Sequence, residues 1–147
     1  MKIRWLPALA ALAIGSAVPA AAQEQNTVDP EVRQQIEAVV RKYEDAYNKN
    51  DAAAIAVLYT ADAVEIFEKE AAGGTASGRE AIEKRYADHF ASNPGKLSLK
   101  VVQVYAMGDQ VCAISEFSRH FRPGNGYHAK IFVREADDWK IRLAYAD

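Results

Sequence analysis

The stretch Arg41–Phe67, RKYEDAYNKNDAAAIAVLYTADAVEIF, contains a change of hydrophobic period that indicates the fold class. Its apolar residues first recur every three or four positions, which is helical spacing: Tyr43, Ala46, Tyr47, Ile55, Leu58 and Tyr59. From residue 63 the period is two, as in a strand, so Glu65 and Phe67 share one face. We therefore predict the end of a long helix, a polar break at Asn48–Asp51, a short helix over 51–59 and a strand over 63–68.

The flanking sequence completes an α+β pattern. Asp29 and Pro30 predict the N-cap and first position of the long helix. Ser77 and Glu80 form a capping box that predicts a third helix ending near residue 90, after a flexible loop over 71–76. Four strands are then predicted, over 97–107, 110–122, 127–135 and 139–145. Helices followed by a run of strands favour an α+β domain with a curved, mostly antiparallel sheet wrapped around the helices.

The first 22 residues have the three parts of an export signal. Lys2 and Arg4 precede an apolar run over 6–18, and three alanines come directly before Gln23. The apolar run is shorter than the ~20 residues that a transmembrane helix needs. We predict a signal peptide over 1–22, a flexible leader over 23–29 and one domain over 30–147. The protein is then periplasmic or secreted, with no stable membrane anchor after cleavage.

Composition excludes some functional classes. The chain has 18 Lys and Arg against 20 Asp and Glu, and removal of Lys2 and Arg4 leaves 16 against 20, a net charge of −4. With no basic stripe, nucleic-acid binding is disfavoured. The single cysteine, Cys112, cannot form an intrachain disulfide and is interpreted as a small buried apolar residue. We predict no cofactor.

Residues 41–67 resemble the opening of the NTF2-like superfamily, which includes ketosteroid isomerases, SnoaL-like polyketide cyclases and DUF4440-type domains. The shared features are a helix bearing Tyr43, an NxxD break, an Ala-rich helix ending in Leu-Tyr, and an acidic turn into a strand. The segment Val133–Ile141, VREADDWKI, is similar to the last hairpin of DUF4440-like members. The resemblance covers residue 30 to the C-terminus. It implies a cone-shaped sheet, antiparallel or mixed, around one long and two shorter helices, with an internal pocket.

The ketosteroid isomerase branch implies a tyrosine and two carboxylates at the site, and this chain matches only part of that set. Tyr43 matches the tyrosine that donates to an oxyanion. The position of the general base falls on Phe67, which cannot accept a proton. The second carboxylate position falls near His128 or Lys130. The isomerase triad is therefore not intact.

Two functional classes remain open. The first is a non-catalytic module that binds a small apolar or amphipathic molecule or associates with a protein, its pocket filled by side chains. Its ligand contacts would be drawn from Tyr43, Tyr47, Glu65, Phe67, His128 and Lys130. The second is an isomerase, cyclase or dehydratase that uses Tyr43 and Glu65, or a histidine such as His128, as acid or base. Phe67 favours the binding module, because it replaces the general base.

Two further expectations concern the hairpin and the assembly. A three-residue loop over 123–125 would place His120 directly opposite His128, whereas other turn registers offset them. Such a pair near Glu116 has ligand types that suit Zn²⁺, but no HxH or HExxH spacing supports a metal, and we predict none. The resemblance also implies a homodimer through the open sheet face, with Phe121 and Phe132 as apolar contact candidates.

Overall fold

The computed structural model describes residues 28–67, 74–92, 95–119 and 125–146. The elements of this part are helices α1 (Pro30–Asn48), α2 (Ala52–Ala56) and α3 (Arg79–Ser92), and strands β1 (Tyr59–Phe67), β2 (Gly74–Ser77), β3 (Leu97–Met107), β4 (Gln110–Arg119), β5 (Asn125–Glu135) and β6 (Asp138–Ala146). The predicted signal peptide over 1–22 and most of the predicted leader lie outside the described residues. Within the described ranges, no helix is long and apolar enough to span a membrane.

Helix α1 begins and ends where the polar residues of the sequence indicate. Asp29 accepts a hydrogen bond from the Glu31 N–H at 2.8 Å, and Pro30 occupies the first turn. At the other end Asn50 adopts a left-handed φ of 55° and turns the chain. Asp51 then accepts from the Ala54 N–H at 2.9 Å and caps α2. The predicted N-cap and the predicted break are both confirmed.

The short helix ends earlier, and the strand begins earlier, than the hydrophobic period predicts. Helix α2 stops at Ala56, and β1 already includes Tyr59. The Ile141 N–H donates to the Leu58 carbonyl at 2.8 Å, and Tyr59 lies beside Ile141 in a parallel ladder. Tertiary pairing with β6 therefore takes these residues out of the helix, although their spacing alone is helical.

The sheet has six strands in the order β2-β1-β6-β5-β4-β3, with β1 and β6 parallel and every other pair antiparallel. Helix α1 packs on β3 and β6, while α3 packs on β1 and β2. This is the predicted α+β architecture, a curved open mixed sheet with one long and two shorter helices. We call the sheet face toward the helices the inner face and its opposite the outer face.

Two predictions near β2 are wrong. Residues 74–76, predicted as part of a flexible loop over 71–76, form with Ser77 a strand that pairs with β1 from Val64↔Ser77 to Phe67↔Gly74. This pairing satisfies backbone groups along the edge of β1. Ser77 is therefore in the sheet and not at the N-cap of α3. Gly78 takes that place: its φ is +88° and its carbonyl accepts from the Ile82 N–H at 3.1 Å.

The β4–β5 register differs from the three-residue-loop pairing. Residue 118 pairs with 125, so His128 lies opposite Ser115 and not opposite His120. Residue 120 lies outside the described residues, as does Phe121. Strand β5 also begins two residues before the predicted position, because Asn125 already pairs with Ser118.

The core lies between the helices and the inner face of the sheet. Phe132 is fully buried there, so its predicted role as an exposed dimer contact is wrong. Residues alternate along a strand, so Phe132 shares its face with His128 and Lys130. Those two polar side chains are also buried. One buried face of β5 therefore carries both polar and apolar residues.

Candidate functional site

Three buried side chains form a hydrogen-bond chain across the interior. The Tyr43 hydroxyl, from α1, lies 2.6 Å from the Tyr86 hydroxyl of α3. Tyr86 donates to Glu65 Oε1 of β1, also at 2.6 Å. A phenol has one proton, so the donation by Tyr86 to Glu65 makes Tyr43 the donor to Tyr86. The proton of Tyr43 is therefore directed toward a fixed protein group.

Burial governs the protonation of this chain. Burial and the charge of Glu65 raise the pKa of Tyr43 and of Tyr86 well above the ordinary phenol value, so both stay protonated at neutral pH. Burial also raises the pKa of Glu65, although Tyr86, Lys130 and other neighbours act in the opposite direction. Glu65 Oε2 and the Tyr59 hydroxyl are both buried, and neither makes a hydrogen bond of normal geometry within the described residues. Tyr59 nevertheless lies close enough to Glu65 to lower the pKa of the carboxyl, so its hydroxyl is the neighbouring donor for the second carboxylate oxygen.

Lys130 of β5 lies on the other side of Tyr43. Its Nζ is 4.3 Å from the centroid of the Tyr43 ring, a cation–π contact. The side chain is 3% exposed, and burial lowers the pKa of Lys130 to about 8 even though Glu65 acts to raise it. The lysine is therefore mostly charged at neutral pH but titrates far more readily than a surface lysine.

His128, also on β5, stacks on Phe117 of β4, with ring centroids 4.6 Å apart. It is 3% exposed, and neither ring nitrogen makes a hydrogen bond. Burial, with the nearby charges of Lys130 and Arg119, lowers the pKa of His128 well below its ordinary value. The imidazole is therefore neutral at pH 7. The Arg119 guanidinium lies 5.4 Å from the centroid of the same Phe117 ring.

Side chains from α1, α3 and β1 form a second part of the site. The Tyr47 hydroxyl lies 2.8 Å from His89 Nε2. The Arg85 guanidinium lies over the Phe67 ring, 4.0 Å from its centroid. Phe67 is itself only 8% exposed. The position that matches the general base of the isomerase branch is thus occupied by the Phe67 ring, on which the Arg85 guanidinium packs.

These groups surround one small pocket, which we call the inner pocket. Its walls come from helices α1 and α3 and from five strands: Tyr43, Tyr47, Phe67, Arg85, Tyr86, His89, Leu97, Arg119, His128 and Ala146. The centre of a water molecule can reach about 20 Å³ of this pocket. That volume is room for about one or two waters, so a larger molecule enters only when side chains of the wall move apart. Aromatic walls with a few convergent polar groups are typical of small-molecule sites.

The structure brings the predicted site residues together. Tyr43, Tyr47, Phe67 and His128 line the inner pocket, while Glu65 and Lys130 contact its lining through Tyr86 and Tyr43. The predicted inward direction of Tyr43 and the shared face of Glu65 and Phe67 are confirmed by their burial.

Tyr86 and Arg85, by contrast, are not among the predicted site residues. Ile82, Tyr86 and Phe90 are the buried residues of α3, and their spacing of four was the available signal for an inward Tyr86. No group of three or more His, Cys, Asp and Glu side chains in the described ranges is placed to hold a metal ion.

Comparisons with solved structures reveal the same fold in proteins of low sequence similarity. A Mycobacterium tuberculosis protein of unknown function superposes with a TM-score of 0.67 at 18% identity, covering 89% of this chain and 76% of that one. A ketosteroid isomerase-like protein from Erwinia carotovora atroseptica gives 0.64 at 17% identity, covering 80% and 95%. An NTF-2-like protein of unknown function from Shewanella oneidensis gives 0.65 at 15% identity, covering 78% and 97%. At these identities the likeness shows the fold alone.

Sequence comparison assigns the family. No curated protein matches the chain. Residues 40–142 match the SnoaL-like domain, which is more than half of the chain and contains nearly all of the inner pocket. The protein therefore belongs to the SnoaL-like domain family, within the NTF2-like fold.

Proposed function

We propose that this protein is an exported binding protein that holds a small apolar or amphipathic molecule in the inner pocket. The observation that carries the proposal is the composition of the pocket wall. Tyr43, Tyr47 and Phe67 provide an aromatic surface, and His128 adds a buried polar side chain with no protein partner. Buried polar groups are nearly always hydrogen-bonded, so an unsatisfied group at a pocket wall suggests a partner from outside the protein.

The hydrogen bonds of the interior favour binding over catalysis. Tyr43 donates to Tyr86, and Tyr86 donates to Glu65, so neither phenol directs its proton into open space. Phe67 occupies the position of the isomerase base and has no group that accepts a proton. A bound molecule would meet aromatic surface and donors, without a base at the expected place.

One observation favours an acid–base enzyme as the second candidate. Glu65 has a raised pKa and one buried oxygen that makes no hydrogen bond of normal geometry within the described residues, and it is connected to Tyr43 through Tyr86. Raised carboxyl pKa values of this kind are common at acid–base sites. An isomerase, cyclase or dehydratase reaction would then need Glu65, and Tyr43 would have to turn its proton from Tyr86 to the substrate.

The binding proposal is tested by native mass spectrometry of the protein after purification from cells that export it. We expect a non-covalent adduct of one small molecule per chain, recoverable by solvent extraction. Ala146 lines the inner pocket, so Ala146→Leu should fill it and abolish the adduct. Ala106→Leu, at an exposed position on β3, is the matched control and should keep the adduct. Absence of an adduct and of any extracted molecule from the wild-type protein would contradict the proposal.

We also propose that the outer face of the sheet mediates a homodimer. A groove of about 650 Å³ crosses this face, and its walls are mostly apolar: Val102, Gln103, Ile114, Tyr127, Ala129 and Tyr145. Tyr127 is 58% exposed, and Ile66, which lies on β1 of the same sheet, is 37% exposed. An isologous contact would cover this surface on both copies with the same residues.

A further inference from the structure

His128 presents unsatisfied hydrogen-bonding groups to the inner pocket. Both of its nitrogens are buried and unpaired, and the ring is held in place by stacking on Phe117. A neutral imidazole has one N–H donor and one acceptor. Because the ring lines the pocket and is only 3% exposed, a bound molecule can satisfy groups that solvent reaches poorly.

Arg119 adds a cation to the same wall. It follows Phe117 by two positions on β4, so both side chains lie on the inner face. Its Nε is buried and has no hydrogen-bond partner, and its guanidinium lies near the Phe117 ring on which His128 stacks. The guanidinium and the imidazole therefore both lie beside the Phe117 ring. Each carries N–H groups that can donate to one of the paired oxygens of a carboxylate.

Arg119 lines the pocket together with His128, and Lys130 lies close enough to His128 to affect its titration. None of the described residues that line the pocket is an acid. Glu65, a buried carboxylate of the described interior, accepts a hydrogen bond from Tyr86 and interacts with the charges of Lys130 and Arg85. A ligand with one negative charge would instead meet the guanidinium of Arg119, whose buried Nε has no hydrogen-bond partner in the described part of the chain.

We infer that the inner pocket binds a small carboxylate with an apolar body, which enters when side chains of the pocket wall move apart. Arg119 and the imidazole of His128 contact the carboxylate, while the rings of Tyr47 and Phe67 contact the apolar part. One guanidinium and one imidazole suit a singly charged, planar group better than a phosphate, which has more oxygens and more charge. This inference names the ligand class of the proposed function and rests on it.

The first test varies the ligand and leaves the protein unchanged. Isothermal titration calorimetry in a low-chloride buffer at pH 7 compares benzoate with benzamide, its neutral isostere, with benzylamine, and with phenyl phosphate. We expect benzoate to bind at least tenfold more tightly than benzamide, and benzylamine not to bind. Equal affinity for benzoate and benzamide, or tighter binding of phenyl phosphate than of benzoate, would overturn the carboxylate assignment.

The second test varies the protein. Arg119→Gln should weaken benzoate binding at least tenfold and leave benzamide binding within twofold. Arg142→Gln removes an arginine that faces Asp62 outside the pocket, at 3.8 Å, and should change neither affinity. His128→Phe keeps the stacking ring but removes both nitrogens and should also weaken benzoate selectively. Thermal unfolding of each variant confirms that it is folded, and the wild-type ligand comparison stands even if a variant is not.

The two proposals fail in different ways. If native mass spectrometry finds an adduct but benzoate binds no better than benzamide, the carboxylate inference is wrong and the binding function stands. If no adduct is found and neither benzoate nor benzamide binds, both proposals are wrong.

Discussion

The hydroxyl oxygens of Tyr43 and Tyr86 lie 2.6 Å apart in the protein interior, although the two residues come from different helices. Tyr86 continues the chain to Glu65, so it acts as donor and acceptor, whereas Tyr43 is a donor only. Their rings meet edge to face, with centroids 6.1 Å apart. This contact joins α1, α3 and β1, and Tyr86 is the member on which both hydrogen bonds depend.

The first prediction is that Tyr86→Phe destabilises the fold more than Tyr43→Phe. The Tyr86 change leaves Glu65 Oε1 and the Tyr43 hydroxyl buried without partners and should cost about 2 to 3 kcal/mol of unfolding free energy, against about 1 for Tyr43→Phe. Urea denaturation of both variants and of the double variant measures this. The double variant should lose less than the sum of the singles, since they share one hydrogen bond. Strict additivity would contradict the proposed chain.

The second prediction concerns Lys130. The pKa of Lys130 is lowered to about 8 in the folded protein, against an ordinary lysine value of 10.5, so the unfolded chain binds more protons between these values. Stability should therefore rise with pH across this window because of Lys130, with a slope of at most about 1.4 kcal/mol per pH unit. Lys130→Met should remove that contribution between pH 8 and 9.5, as measured by urea denaturation. The exposed Lys84→Met is the control and should leave the slope unchanged.

The third prediction uses Glu65 to separate the two functional classes. Its pKa is raised in the fold, so its contribution to stability falls as pH rises from the ordinary carboxyl value through the raised one. Glu65→Gln removes this titration, keeps an acceptor for Tyr86 and should flatten the stability profile in that range. If the protein is a binding module, this variant should still carry its ligand in native mass spectrometry. Loss of turnover with retention of the ligand would instead support the acid–base enzyme.

The fourth prediction is export with cleavage before Gln23. The charged start, the apolar run and the alanines at the predicted site together are typical of a chain that signal peptidase cleaves. Intact-mass analysis of the protein from its native host should give a chain that begins at Gln23. Replacement of Ala20 and Ala22 by bulky residues should block processing and retain the precursor. A cytoplasmic chain that keeps residues 1–22 would contradict export.

The sequence predicts the architecture because periodicity and capping are local properties. The N-cap at Asp29, the break at Asn48–Asp51 and the bounds of β3 all depend on neighbouring residues, and the structure agrees with them. The predictions for Tyr59 and Ser77 are wrong because both residues pair with another strand. Tyr59 pairs with β6, which is distant in sequence, and Ser77 pairs with the edge of β1. Such pairing is not visible in a short window of sequence.

The site could be predicted only in part, for a related reason. Tyr43 and Glu65 were identified from the faces of their own elements, and their burial confirms those faces. On β5, by contrast, His128 and Lys130 are predicted at the site, but Phe132 on the same inner face is predicted at the dimer surface. A strand face that mixes polar and apolar residues does not reveal from sequence which side is buried. Functional sites break the rule that polar residues face water, and the exception becomes visible only when neighbouring elements are in place.

The fifth prediction tests the outer face as a dimer surface. Tyr127 is 58% exposed and lines the apolar groove of that face, whereas Val57, 54% exposed, follows α2 and does not line it. Light scattering at micromolar concentration should give the mass of a dimer for the wild-type protein. In an isologous contact, the lysine of Tyr127→Lys lies near the same lysine of the second copy. Both charges would lose their hydration in the interface, so the variant should shift the mass toward the monomer. Val57→Lys adds the same charge elsewhere and should leave the dimer intact.

A wild-type monomer, or equal effects of the two lysines, would contradict the outer-face dimer. The inner pocket is lined from the opposite side of the sheet, so the ligand-binding proposals would remain unaffected.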